Sequence, residues 1–167
     1  MDDRSYYGVL YRLDGSYRWL LWYSSQVDGL YVEDGHFPTA ASAEALIAYA
    51  RARGLAIDTM EPSVHDIDAV VNWLTRPSTT AVDSSELLAV WNLANDAAAA
   101  LGMSLADRDE LADRAYEKLF RRAGPQWIWT ADDVELKADF SPEEIQCLAQ
   151  VLGRGLQLLR DRIAMHD

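Results

Sequence analysis

The chain has 167 residues, half of them apolar and a quarter charged, with a formal charge of −12. This is the size and composition of one globular domain with a real core, and it excludes a disordered chain. The excess of acid argues against nucleic acid as a partner, because phosphate binding draws its affinity from Lys and Arg, and it favours a basic protein partner, although an acidic surface also serves solubility alone. Residues 61–120 carry about −7 of the charge, so the acid is concentrated in the middle of the chain.

Uncharged apolar runs fall well short of the roughly 20 residues that span a bilayer, so no membrane partner is expected. The stretch MDDRSYYG is acidic where a signal peptide would be basic, which gives a cytoplasmic expectation. Cys147 is the single cysteine, which rules out an internal disulfide and a cysteine-built zinc cage and suits a reducing compartment.

Three Asp-Gly pairs punctuate the first third of the chain: Asp14-Gly15, Asp28-Gly29 and Asp34-Gly35. Asp-Gly supplies the positive φ that tight hairpins need, and the first two pairs separate runs rich in Tyr, Trp, Val and Leu. The pattern predicts an antiparallel meander with strands at Tyr6–Leu13, Tyr17–Ser24 and Leu30–Glu33. In the second strand Tyr17, Trp19, Leu21 and Tyr23 share one face and Leu20 and Trp22 the other, so both faces are expected to be covered. A helix follows, capped by Ser42, with Glu44 in its first turn and Gly54 closing it. Leu55–Thr59 reads as a fourth strand, giving β-β-β-α-β for residues 1–60.

From Ser63 the period becomes helical. Val64, Ile67, Val70, Val71 and Leu74 form one stripe, with Ser63 and Asp66 at capping-box spacing and Pro77 as the stop. After the linker RPSTTAVDSS, Asp83 and Glu86 again have capping spacing, and Leu87, Trp91, Ala94, Ala98 and Leu101 form a buried seam. A further helix is expected over about Leu105–Arg122, with Leu111, Ala115 and Leu119 inward and Gly124-Pro125 as its end. The last helix has Ser141 as cap, Pro142 at the first position, Glu144 completing the box, and Ile145, Leu148, Leu152, Leu156, Leu159 and Ile163 stepping by three and four. Gly153 and Gly155 interrupt it at about 1 kcal/mol each relative to Ala, which points to close approach of another backbone. The expected fold is α+β in one domain: an N-terminal antiparallel sheet in residues 1–60, packed with a bundle of about four helices in 61–167.

Chemistry is hard to find in this sequence. There is no phosphate loop with its Lys, no Gly-x-Ser-x-Gly elbow, no paired His on a helix and no dinucleotide fingerprint. In HDID, His65 stands beside Asp66 and Asp68, but adjacent side chains on a helix diverge. The acids Glu143 and Glu144 are explained by capping, and Cys147 by burial. The expectation is therefore a protein without catalytic residues, metal or cofactor.

Two features remain. In SSELLAVWNLANDAAAALG, Asn92, Asn95 and Asp96 set a polar row beside the apolar seam. In the segment GPQWIWTADDVELKADF, Trp127 and Trp129 lie close to Asp132, Asp133 and Glu135, and aromatics beside carboxylates are what a protein-binding hot spot uses. Both features also have plain structural readings, as a boundary face with satisfied amides and as a loop folded on its own indoles.

The three segments LLAVWNLANDAAAALG, AYEKLFRRAG and FSPEEIQCLAQVLGRGLQLLRD resemble small bacterial immunity proteins of polymorphic toxin systems. The matching positions are Leu87, Leu88, Trp91, Asn92, Leu93 and Asp96, then Tyr116, Lys118, Leu119 and Phe120, then Ser141, Glu143, Glu144, Gly155 and Leu156. The resemblance implies a toxin inhibitor that acts inside the bacterial cell by protein–protein interaction, binding a cognate secreted toxin domain and occluding it stoichiometrically. A basic nuclease is the expected toxin. On that view Trp127, Trp129, Asp132, Asp133, Glu135, Asn95 and Asp96 are the partner-binding residues. The alternative is a small-molecule-binding protein or enzyme with a pocket between the Trp-rich sheet and the helices.

Overall fold

The structure is a computed structural model and describes residues 4–78, 83–106, 109–124 and 139–166. Its elements in chain order are β1 (Ser5–Leu13), β2 (Ser16–Ser24), β3 (Gly29–Leu30), β4 (Phe37–Ala40), α1 (Ala43–Ala52), β5 (Ile57–Asp66), α2 (Ile67–Thr75), α3 (Ser84–Ala100), α4 (Glu110–Ala123), α5 (Pro142–Arg162) and β6 (Ile163–His166). The fold is α+β, with a sheet formed chiefly by the first part of the chain and helices mainly in the second.

Strand order is β5-β1-β2-β4-β6, with β3 also paired to β2. The β1–β2 hairpin is antiparallel, from Ser5 opposite Ser24 to Leu13 opposite Ser16. Its two-residue turn holds Asp14 at φ 52° and Gly15 at 76°, the left-handed pair that matches strand twist. Asp34 and Gly35 adopt the same geometry under a Glu33–His36 bridge. Asp28-Gly29 does not: Gly29 enters β3 directly, so the tight turns are the first and third pairs.

Beyond the meander the sheet is mixed. β5 lies parallel to β1, and β6 lies parallel to β4. Three expectations change here. Phe37–Ala40, to which the sequence pattern assigns no strand, is strand β4, every residue of which is buried. The third strand shrinks to Gly29–Leu30. The fourth runs on to Asp66, with a register break between Gly8/Met60 and Leu10/Val64. Val64 is consequently a strand residue, 39% exposed. Asp66, not Ser63, caps α2 by accepting from the Ala69 N–H at 3.2 Å.

Both faces of the sheet are covered, as the two faces of β2 required. Leu21 and Trp19 pack with Leu46, Ala50 and Tyr49 under α1. Leu20 and Trp22 face the larger core, built with Val9, Tyr11 and the helices α2, α3 and α5. Helix α1 is capped by Ser42 and followed by Gly54 at φ 71°. Asp83 caps α3 through two N–H groups. The fourth helix begins at Glu110 rather than near Leu105; Asp109 caps it, accepting from Ala112 N–H at 2.7 Å, while Leu105 plugs the core from the preceding turn.

Helix α5 carries the complete capping box of Ser141 and Glu144. Glu144 does more than cap: its Oε2 also accepts from Lys118 Nζ, joining α4 to α5 in the interior. At Gly155 helix α3 does come close, though it is a side chain rather than backbone that fills the space: a Cβ there would stand 2.5 Å from the Ala94 Cβ and 3.9 Å from its Cα. At Gly153 there is no such approach, with nothing within 4 Å of an added Cβ. Ile163, placed on the helical stripe by its spacing, instead leaves the helix at ψ 124° and starts β6.

Candidate functional site

Helix α3 lies in the larger core, with Leu87, Val90, Trp91, Ala94 and Ala98 buried. One turn around it, Asn92, Asn95, Asp96 and Ala99 follow at spacings of three and four and form a ridge on the outer side. A cleft opens on each side of that ridge.

On the sheet side, Asn92 and Asp96 join Val9, Trp22, His65, Ala89 and Leu93 around a cleft of about 240 Å³. The Trp22 Nε1–H donates to Asp96 Oδ2 at 2.9 Å. Tyr7 extends this wall, its ring centroid 5.3 Å from that of Trp22. Burial pushes the Asp96 carboxyl above the ordinary carboxylate range; the indole hydrogen bond opposes the shift and nearby Asp28 reinforces it.

On the α4 side, Asn95 and Ala99 join Trp91, Met103, Ser104, Asp113 and Tyr116 around a groove of about 360 Å³. The Tyr116 hydroxyl donates to Asn92 Oδ1 at 3.1 Å, and its ring lies 5.7 Å from Trp91 and 6.5 Å from Phe120. Burial raises the Tyr116 hydroxyl, helped by Glu117 and Asp96. Phe120 and Met103 are 50% and 49% exposed on this side. Asn95 makes no side-chain hydrogen bond among the described residues.

The polar row of α3 thus has two characters. Asn92 and Asp96 are each tied to an aromatic on a neighbouring element, as a boundary face would be, while Asn95 is available. Of the expected partner-binding residues, Asn95 and Asp96 stand together on this ridge. Trp127, Trp129, Asp132, Asp133 and Glu135 lie outside the described residues. Trp22, His65 and Tyr116 complete the face and were not singled out for it by the sequence, because strand register and helix packing bring them there.

Other candidates resolve into structure. Asp68 accepts from the N–H groups of Asp14 and Gly15 at 2.7 and 2.8 Å and lies 3.4 Å from Arg12, so it holds the hairpin turn. Asp66 is the α2 cap. Cys147 is half-buried beside the core, and burial raises its thiol. A concavity of about 540 Å³ between α1 and β5 has, among the described residues, Arg51 and Asp58 as its charged lining. Among the described residues no three His, Cys, Asp or Glu side chains gather to hold a metal ion, and no helix is long and apolar enough to cross a membrane.

Six of the fifteen positions that carry the resemblance make contacts between helices. Trp91 and Asn92 meet Tyr116, Lys118 meets Glu144, and Gly155 meets Ala94. These pairs set how α3, α4 and α5 pack.

No protein-family profile and no curated protein matches the chain. Among solved structures, the C-terminal domain of SatS, crystallised in complex with bromine, is similar with a TM-score of 0.61 and 13% sequence identity, over 97% of this chain and 94% of that one. The likeness is one of fold and spans both the sheet and the helices.

Proposed function

We propose that this protein is a cytoplasmic immunity protein of a bacterial polymorphic toxin system, binding a cognate toxin domain and neutralising it by stoichiometric occlusion rather than by catalysis. The observation that carries the reading is the α3 face: a ridge of Asn92, Asn95 and Asp96 between two clefts, bordered by Trp22, Tyr116 and exposed Phe120. Aromatics that are already packed lose little entropy on binding, and acids beside them supply charge specificity. A net charge of −12 speeds encounter with a basic protein and disfavours acidic ones. A nuclease domain, basic because it must hold phosphates, is the matching toxin class.

The resemblance to immunity proteins supports the same scaffold, since its matching residues include the contacts that fix α3 against α4 and α5. Asp132, Asp133 and Glu135, with Trp127 and Trp129, are proposed to extend the contact. Co-expression with a toxin gene encoded next to this one should restore growth, and a panel of neighbouring toxins that all stay lethal would refute the proposal. Replacing Asp132, Asp133 and Glu135 by Ala should slow association and flatten its salt dependence; unchanged kinetics would remove that segment from the interface.

A second reading, a small-molecule-binding protein or enzyme, is supported by one observation, the sheet-side cleft between Trp22 and α3, which has room for part of a ligand. A metabolite that copurifies with the protein and contacts Trp22 would support it.

A further inference from the structure

The sheet-side cleft is small and mixed in its chemistry. At about 240 Å³ it falls below the ~300–1,000 Å³ of pockets that enclose a whole drug-sized molecule. It suits one side chain. Val9, Ala89 and Leu93 make part of its lining apolar, the Trp22 indole forms a wall, and Asp96, Asn92 and His65 bring polar groups to the same space.

Asp96 is the centre of this arrangement. It is half-buried, its Oδ2 holds the Trp22 N–H, and no Lys or Arg pairs with it among the described residues. Glu33, Asp66, Asp68, Glu117 and Glu144 each face an Arg or Lys of the chain itself. A partly desolvated carboxylate beside an indole, with Asp28 adding negative charge nearby, is complementary to an organic cation. Guanidinium fits better than ammonium. It is planar, more weakly hydrated, and can bridge the Asp96 carboxylate and the Asn92 carbonyl oxygen, which keeps one lone pair beyond its bond to Tyr116.

We propose that this cleft seats an arginine side chain of the protein partner, with Asp96 as its counter-ion, Asn92 as a second acceptor and Trp22 as the wall. The proposal rests on the α3 face being the partner surface and names the chemistry of its central contact.

The test uses the 15N-labelled full chain, with N-acetyl-arginine N-methylamide as probe and the uncharged N-acetyl-citrulline N-methylamide as control. The Trp22 indole N–H resonance should move saturably with the arginine probe, ignore the citrulline one, and lose its response in Asp96→Asn, which keeps an oxygen to accept the indole. Should that variant fail to fold, Asn92→Leu, at an exposed helix position, should weaken the response several-fold. A resonance that follows both probes equally, or neither, overturns the proposal. If growth rescue by co-expression succeeds while the probe does not bind, the cleft alone is refuted. If the probe binds and no neighbouring toxin is neutralised, the toxin reading is the one that fails.

Discussion

Lys118 and Glu144 meet at 2.7 Å with their side chains only 5% and 2% exposed, so an enclosed ion pair ties α4 to the first turn of α5. Each partner has further support: Lys118 also donates to the Asp139 carbonyl, and Glu144 also accepts from the Ser141 N–H. Removing one member strands the other's charge in the interior, at about 3–5 kcal/mol. Lys118→Ala should therefore lower the urea midpoint steeply without changing the slope, and Glu144→Ala should do so at least as strongly because it also loses the cap. Midpoints within error of the parent protein would contradict the enclosed pairing.

The two glycines of α5 should respond in opposite directions. At Gly155 an added methyl meets the Ala94 Cβ at 2.5 Å, so Gly155→Ala should cost about 1–3 kcal/mol by overpacking. At Gly153 the space is open and the backbone helical, so Gly153→Ala should gain up to about 1 kcal/mol from helix propensity. Thermal melts of the two variants side by side check the sign, and a matching shift in both would refute the packing described for α3 and α5.

Asp96 makes a pH prediction. Its carboxyl is raised above the ordinary value, so the folded state holds this proton more tightly than the unfolded chain does. The ionised form opposes folding fully above the raised value, progressively less as pH falls through it, and not at all below the unfolded carboxylate range. Asp96→Asn should thus stabilise the protein at neutral pH, and the gain should vanish on acidification. Chemical denaturation of both proteins across that window measures it; a gain independent of pH would mean that the charge is not what burial penalises.

Asp68 offers a fourth test. Its carboxylate accepts from two backbone N–H groups of the β1–β2 turn and faces Arg12. Hydrogen bonds to a charged group contribute about 1.5–3 kcal/mol. Asp68→Asn should retain one acceptor and lose about half of that, with faster amide exchange at Asp14 and Gly15 as the local signature. Unchanged exchange there would separate the turn from α2.

What could be read from sequence was what is encoded locally. Ser42, Asp83 and the Ser141/Glu144 box announce their helices because a cap and its partner lie within four residues. Asn92, Asn95 and Asp96 were legible as one row for the same reason. The extent of β5, the strand at Phe37–Ala40 and the departure of Ile163 into β6 were not, since each is decided by a pairing partner distant in the chain. Lys118 and Glu144 show the limit clearly: Glu144 looked fully explained by its cap, and only the packing of α4 against α5 reveals its second role. The site was half visible on these terms, its α3 ridge in the helical spacing and its Trp22, His65 and Tyr116 only in three dimensions.

Strand β6 completes the sheet beside β4 after the chain has passed through the bundle, with Thr39 Oγ1 donating to the Ala164 carbonyl and Arg162 to that of Gly35. Residues some 126 positions apart in sequence, Phe37 and Ile163, are thus neighbours across a ladder. Such wide loop closure gives high contact order and makes folding slow. It also means that a fragment cut after α1 would lack both flanking strands, exposing raw sheet margins to self-association.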